Sequence, residues 1–217
     1  MLLRALLVPL FLAVVADPTA PRVEVDTRET PDLAPWGEQA RELVRQWHPK
    51  ISEVLASDGF RPPEEVKIVF KDARKGVAAT SGSTITITAD WVRKHPDDFG
   101  MVVHELTHVI QHYPPNKANA GWLVEGIADH VRCFHFEPEK RLPPIDVKKA
   151  SYRDGYKTAA RFLDWVQTKY DPRLVSRLNA ALRGGRYHDK LFDEYTGKPL
   201  DELWSEFIAA AASSRNP

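Results

Sequence analysis

The chain carries a His-Glu-x-x-His pattern at His104, Glu105 and His108, and this pattern is its most specific indication of chemistry. Two residues four positions apart on an α-helix lie about 40° apart around the axis and roughly 6 Å apart along it. Two imidazoles placed in this way can bind one metal ion, and zinc is the ion typical of the pattern. Glu105, beside the first histidine, is then placed to act as general base toward the attacking water. The spacing therefore predicts a hydrolytic zinc site carried by a helix.

A third metal ligand is expected from residues 121–129, because a catalytic zinc usually has three protein ligands and one open position. Glu125 and Asp129 lie four residues apart in this segment, so both face the same way on a helix. We predict Glu125 as the ligand and Asp129 as a partner that accepts a hydrogen bond from a ligand imidazole and fixes its tautomer. Asp129 as the ligand in place of Glu125 is the alternative that the spacing leaves open.

Other histidines and the cysteine fit the metal site less well. His112 lies about 12 Å along the helix axis from His104, too far to share one ion with both histidines of the pattern. His130 points roughly 140° away from Glu125 on an ideal helix. The remaining weak candidates are His135 and Cys133, the latter expected to be a small buried thiol.

Two related zinc-peptidase patterns are excluded. The extended pattern with a third histidine requires glycine at position 111 and histidine at position 114, where the chain has Gln111 and Pro114. The methionine turn is also missing, because the one methionine after Met1 is Met101, which precedes the motif. The pattern thus falls in the class whose ligands are His, His and Glu.

Apolar periodicity predicts the elements that would position these residues. A small mixed or antiparallel sheet is expected between an N-terminal helix and a helical C-terminal half, which gives an α+β fold. Pro96, Asp97 and Asp98 are expected to open the helix that carries the motif. The predicted helices cover residues 36–56, 96–112, 123–134, 155–169, 172–182 and 200–211, and the predicted strands cover 66–70, 77–80 and 84–88.

The segment 84–88 alternates threonine with isoleucine, which is typical of a half-buried strand. Threonine on the outer face also suits a strand at the edge of a sheet. Such an edge, close to the metal site, could accept a peptide by adding it as a further strand. Most edge strands do not bind a peptide, so the pattern is compatible with a substrate-binding edge at 84–88 but does not by itself predict one.

The first 16 residues have the features of a secretory signal peptide. Arg4 gives a positive start, the segment 5–15 is apolar, and Val14, Val15 and Ala16 precede the polar Asp17. An apolar run of this length is too short to span a bilayer with ease, although an uncleaved anchor is the alternative. We expect cleavage after Ala16, a secreted or periplasmic protein without stable membrane association, an extended arm over 17–35 and one domain over 36–217.

Length and composition exclude several classes of protein. A chain of 217 residues suits one domain with its own core. The 30 basic and 30 acidic side chains cancel, which argues against a nucleic-acid partner. The single cysteine excludes a disulfide framework and a four-cysteine zinc site. We expect a neutral monomer.

Longer segments around the motif resemble the basic secretory protein family of plant and bacterial zinc peptidases. The resemblance rests on His-Glu-Leu-Thr-His-Val-Ile-Gln at 104–111 and Trp-Leu-Val-Glu-Gly-Ile-Ala-Asp at 122–129, and extends over roughly 60–210. The more specific segments follow downstream, at 154–156, 160–165 and 197–204. Two departures are the neutral charge and His130, which stands where an aromatic residue is common.

This resemblance implies a zincin-like fold and a secreted zinc metallopeptidase that acts on a peptide or protein substrate. It implies His104, His108 and Glu125 as zinc ligands and Glu105 as the catalytic residue. Tyr152, Tyr156 and His188 are candidates for the group that stabilises the oxyanion, and Tyr156 is favoured because it lies in a family-like segment. Two alternatives are a secreted binding or defence protein with a structural zinc site, and a zinc hydrolase acting on other bonds.

Overall fold

The computed structural model describes residues 20–72, 74–114 and 120–213. Within these residues the chain forms a four-stranded sheet and eight α-helices, and most of the helices follow the sheet. The predicted α+β class is confirmed. The predicted signal peptide over 1–16 lies outside the described residues. No described helix is both long enough and apolar enough to cross a membrane.

The sheet has the strand order β1-β2-β4-β3. Both β1 and β4 run parallel to β2, whereas β3 runs antiparallel to β4. Alternation along β2 buries Val66, Ile68 and Phe70, which are the residues predicted to share one face. The strand bounds are β1 (Arg22–Asp26), β2 (Glu65–Lys71), β3 (Ala78–Ser81) and β4 (Thr84–Thr88).

The predicted extended arm over 17–35 is wrong for its central part. Residues Arg22–Asp26 form β1 and pair with β2 along their whole length. Val23 and Leu33 are buried in the core. The alternation of valine with charged residues becomes a strand because β2 supplies a partner far along the chain.

The strand predicted to be an edge is also corrected. β4 lies between β2 and β3, so it has no free edge. The free edge on this side belongs to β3, the other strand of the same hairpin. Alternation of residue types along a strand reports which face is buried, but it carries no information about which strand lies outermost.

The predicted helices are present, and two short helices were not predicted. α2 and α7 have six residues each, too few for a clear periodic pattern. α3 begins later than predicted, at Gly100, and α4 continues into a π-helical stretch over Val131–Phe136. The helix bounds are α1 (Ala34–Val54), α2 (Ala89–Lys94), α3 (Gly100–Gln111), α4 (Gly121–His130), α5 (Tyr156–Lys169), α6 (Leu174–Arg183), α7 (Leu191–Thr196) and α8 (Leu200–Ser213).

Two glycines allow the close approaches on which this packing depends. A Cβ at Gly37 of α1 would lie 2.8 Å from the Val25 side chain of β1. A Cβ at Gly126 of α4 would lie 2.7 Å from Cβ of Ala159 in α5. Helix α1 therefore packs directly on the sheet, and α4 and α5 form a tight pair. One hydrophobic core joins the sheet to these helices and holds α3 between them.

Candidate metal centre

The motif helix α3 is fixed on almost all sides. Its apolar residues Val102, Val103, Leu106, Val109 and Ile110 are completely buried, which leaves the two histidines to line a cleft. The helix starts at Gly100 rather than at 96 because Asp98 makes tertiary contacts instead of capping it. The carboxylate of Asp98 accepts a hydrogen bond from Trp91 Nε1 at 3.0 Å and pairs with Arg132 at 2.5 Å.

Three side chains from α3 and α4, those of His104, His108 and Glu125, bring their ligand atoms together, and we call them the ligand group. His104 Nε2 lies 3.1 Å from His108 Nε2 and 3.2 Å from Glu125 Oε2. The third side of this triangle, from His108 Nε2 to Glu125 Oε2, measures 3.5 Å. Ligands bound to tetrahedral zinc at 2.0–2.1 Å are separated by about 3.3 Å from one another. Within the described residues this is the group of His, Cys, Asp and Glu side chains that could hold a metal ion, and it fits zinc.

Each histidine of this group is oriented through its other ring nitrogen. His104 Nδ1 donates to Asp129 Oδ1 at 2.7 Å, and His108 Nδ1 donates to Gln111 Oε1 at 2.7 Å. Gln111 is itself held by its Nε2, which donates to a main-chain oxygen of α4 at 3.0 Å. These contacts turn Nε2 of both rings toward Glu125. Asp129 lies on the opposite side of the His104 ring, so the geometry places Glu125 rather than Asp129 in the ligand group.

Sequence reasoning predicted the Asp129 contact but missed the role of Gln111. In the sequence, Gln111 stands out only as the residue that rules out the extended three-histidine pattern. Its position three residues after His108, on the same face of α3, was the available signal.

The neighbours of His104 favour its protonated form. Burial disfavours the charged form of His104, but hydrogen bonds to Asp129 and Glu125 outweigh burial and raise its pKa to about 9. Burial likewise favours the neutral form of Glu125, but hydrogen bonds from His104 and His108 lower its pKa to about 2. At neutral pH a proton on His104 therefore takes the place that a metal ion would fill.

Zinc binding is expected to release a proton from His104. A ligand imidazole must be neutral, so zinc competes with the proton and binds more tightly as the pH rises toward about 9. The pKa of His104 lies above its ordinary 6.5. Its charged form therefore stabilises the metal-free fold fully below pH 6.5, and this contribution is lost as the pH rises through about 9. Calorimetry of zinc binding at pH 7 in buffers of different ionisation enthalpy should show release of about one proton; binding without proton release would contradict the geometry.

Glu105 lies beside the ligand group and receives a hydrogen bond from the sheet. Its Oε2 accepts a hydrogen bond from Thr80 Oγ1 at 2.7 Å. Its side chain is largely buried but lines the cleft together with His104 and His108. The structure thus places the predicted general base in the same cleft as the ligand group. Thr80 was not singled out from the sequence, because the pairing joins β3 to α3 across 25 positions.

Tyr156 covers the other side of His104. The two rings stack with centroids 6.1 Å apart and planes 17° apart. The backbone of Tyr156 is left-handed with φ 45°, and the residue is 56% exposed. Such a conformation is costly for a non-glycine residue and tends to occur at functional sites. The negative charge of Glu125 is the main cause that raises the pKa of the Tyr156 phenol.

The other candidates for an oxyanion group lie elsewhere. Tyr152 is buried and donates from its hydroxyl to Asp201 Oδ1 at 3.0 Å. His188 is exposed and does not line the cleft. Of the three candidates named from the sequence, only Tyr156 thus lies near the ligand group.

An open cleft of about 1040 Å³ runs past the ligand group. Its lining includes Ala78, Ala79 and Thr80 of the edge strand β3 and Tyr156 and Lys157 at the start of α5. This volume lies at the upper end of the range of ligand pockets. The cleft is therefore large enough for an extended ligand that passes the ligand group and Glu105.

A family model described as a peptidase of plants and bacteria matches residues 37–207. The chain belongs to this family. The resemblance to the basic secretory proteins is confirmed, and the match covers the sheet from β2 onward, the motif helix and the helical half. No curated protein and no solved structure matches the chain. Peptide hydrolysis is the activity that the name of the family states.

The weaker ligand candidates named from the sequence, three histidines and the cysteine, do not join the ligand group. His112 ends α3 in a left-handed conformation and lies near the Phe60 ring. His130 is buried, with its Nε2 3.4 Å from a carboxylate oxygen of Asp164. The ring of His135 packs near that of His130, and Cys133 is a buried thiol whose pKa burial raises to about 11.

Proposed function

We propose that this family member is a secreted, monomeric zinc metallopeptidase of the zincin type. The observation that carries the proposal is the triangle of His104 Nε2, His108 Nε2 and Glu125 Oε2, with sides of 3.1, 3.2 and 3.5 Å. Glu105 lines the same cleft. A zinc ion held by these three side chains would act as a Lewis acid, polarising the scissile carbonyl and making water acidic enough to attack at neutral pH.

The carboxylate of Glu105 serves as the proton acceptor in this proposal. It lines the cleft beside the ligand group and is kept largely from solvent. It takes a proton from the attacking water and later donates a proton to the departing amine. A purely structural metal site needs no such carboxylate, which favours a peptidase over a binding protein.

The edge strand β3 offers main-chain groups that could bind an extended substrate. The carbonyl of Val77 accepts a hydrogen bond from Thr88 N at 3.0 Å, so these residues form a hydrogen-bonded pair of the antiparallel ladder. Hydrogen-bonded and non-hydrogen-bonded pairs alternate along the ladder. The N–H and C=O groups of Ala79 therefore point to β4, whereas those of Ala78 and Thr80 point to the free edge. A peptide that adds to this edge would pair with Thr80, whose side chain contacts Glu105.

Tyr156 is the proposed donor to the oxyanion that forms when the carbonyl is attacked. It stacks on His104 and lines the same cleft as β3. A phenol that keeps its proton at neutral pH can donate a hydrogen bond to a developing negative charge. The raised pKa of Tyr156 supports this protonated state.

A cleavage assay with and without a metal chelator tests the proposal. The purified protein is incubated with a mixture of unmodified peptides, and products are identified by mass spectrometry. We expect internal peptide bonds to be cleaved, cleavage to stop when the metal is removed, and zinc to restore it. Cleavage that survives complete metal removal would exclude the zinc mechanism, and bound zinc without any cleavage would favour the binding-protein alternative.

A further inference from the structure

The hydroxyl of Thr80 makes a direct contact with the proposed general base. We propose that Thr80 is a positioning residue that holds the carboxylate of Glu105 in its proton-accepting orientation and links it to the strand that binds the substrate. This inference rests on the proposed function, since it concerns the same reaction. It adds a residue of β3 to a site whose other members come from helices.

The contact favours the carboxylate over the other acceptor within reach. Thr80 Oγ1 lies 2.7 Å from Glu105 Oε2 and 3.0 Å from the main-chain oxygen of the same residue. A hydroxyl has one proton, so it donates to one acceptor at a time. The carboxylate oxygen is the closer of the two acceptors, and hydrogen bonds to carboxylates are generally shorter and stronger than those to main-chain carbonyls.

One oxygen of Glu105 is held and the other is left for the reaction. Among the described residues, Thr80 is the side chain that donates to this carboxylate, and it donates to Oε2. A glutamate side chain has three rotatable torsions and loses conformational freedom when it is fixed. Because Thr80 holds the carboxylate through Oε2, the contact leaves Oε1 to accept a proton from water in the cleft.

The position of Thr80 in β3 gives its backbone a second role in the proposed reaction, namely substrate binding. Its main-chain N–H and C=O point to the free edge, as the alternation of the ladder with β4 requires. Its side chain points to α3, where it reaches Glu105. A substrate strand paired at this edge would therefore bind the backbone of the residue whose side chain orients the general base.

A structural role is the competing explanation, since the hydroxyl also joins β3 to α3. The two explanations predict different kinetics. A residue that positions the general base affects kcat and leaves substrate binding and zinc content unchanged. A residue that only holds the strand in place affects folding, zinc content or KM.

Four variants separate these explanations. Thr80→Val keeps the shape and removes the donor, and Thr80→Ala serves if the valine variant does not fold. Thr80→Ser keeps the donor. Thr86→Val is the matched control, because Thr86 lies in the adjacent strand β4 and its hydroxyl makes no hydrogen bond within the described residues. Each variant is assayed for zinc content, thermal unfolding, kcat and KM with one cleaved peptide.

We expect Thr80→Val to lower kcat by about 10- to 100-fold, a part of what general-base catalysis contributes, with KM and zinc content unchanged. Thr80→Ser should recover most of this loss, and Thr86→Val should match the wild type. Full activity of Thr80→Val and Thr80→Ala would overturn the inference, as would a serine variant no better than valine or a loss confined to KM or zinc content. If the wild-type protein cleaves no peptide, the proposed function itself fails; if it cleaves and Thr80→Val cleaves equally well, this inference alone fails.

Discussion

Replacing Glu105 with glutamine is expected to lower peptide hydrolysis by about 10²- to 10⁴-fold, the usual contribution of general acid–base catalysis, while zinc stays bound. Glutamine has nearly the shape of glutamate and can still accept a hydrogen bond from Thr80, but its amide cannot take a proton from water. The three ligand side chains are unchanged. Metal content should therefore remain at one zinc per chain by elemental analysis while kcat falls.

The matched control for this variant is Glu53→Gln, which changes an exposed glutamate of α1 that does not line the cleft. It should keep wild-type kcat and zinc content. Full activity of Glu105→Gln would remove Glu105 from the mechanism. Loss of zinc from this variant would mean instead that Glu105 contributes to metal binding.

Replacing His104 with alanine should remove zinc and activity together. The imidazole supplies one of the three ligand atoms and lies against both Glu125 and Asp129. Without it the buried Asp129 carboxylate loses its partner, which costs about 1–3 kcal/mol of unfolding free energy. Zinc should no longer remain with the protein through gel filtration, and cleavage should fall to the level of the metal-free wild type.

Two variants accompany the His104 experiment. Asp129→Asn leaves all three ligands and should weaken zinc binding by about 10- to 100-fold, the usual effect of removing a group that orients a ligand. His188→Ala changes an exposed histidine away from the cleft and should behave as wild type. Retention of one equivalent of zinc by His104→Ala, or a complete loss of zinc from Asp129→Asn, would contradict the ligand assignment.

The elements that the sequence predicts well are those whose signal is local. The periodic apolar residues of α1, α3 and α5 have few other ways to be buried, and the helices form close to the expected bounds. β1 was missed because its two valines acquire meaning only when β2 lies beside them. The outer position of β3 was missed for the same reason: strand order is a tertiary property that the alternation of Thr84–Thr88 does not contain.

The same distinction applies to the metal centre. The spacing of His104 and His108 on one helix dictates that their rings can meet, and the spacing of Glu125 and Asp129 does so for the facing helix. The contacts of Gln111 and Thr80 depend on how α3 meets α4 and β3, so neither follows from spacing alone. The later start of α3 has a similar cause, because Asp98 binds Trp91 and Arg132 rather than the helix end.

A zinc titration of the metal-free protein, followed by the rate of peptide cleavage, shows whether this chain is a zinc peptidase. One site built from His104, His108 and Glu125 predicts no cleavage without metal, a rate that rises linearly with added zinc, and saturation at one equivalent per chain. A rate that does not depend on zinc, or no cleavage at any zinc concentration despite one bound equivalent, would contradict the account of this chain as a zinc peptidase.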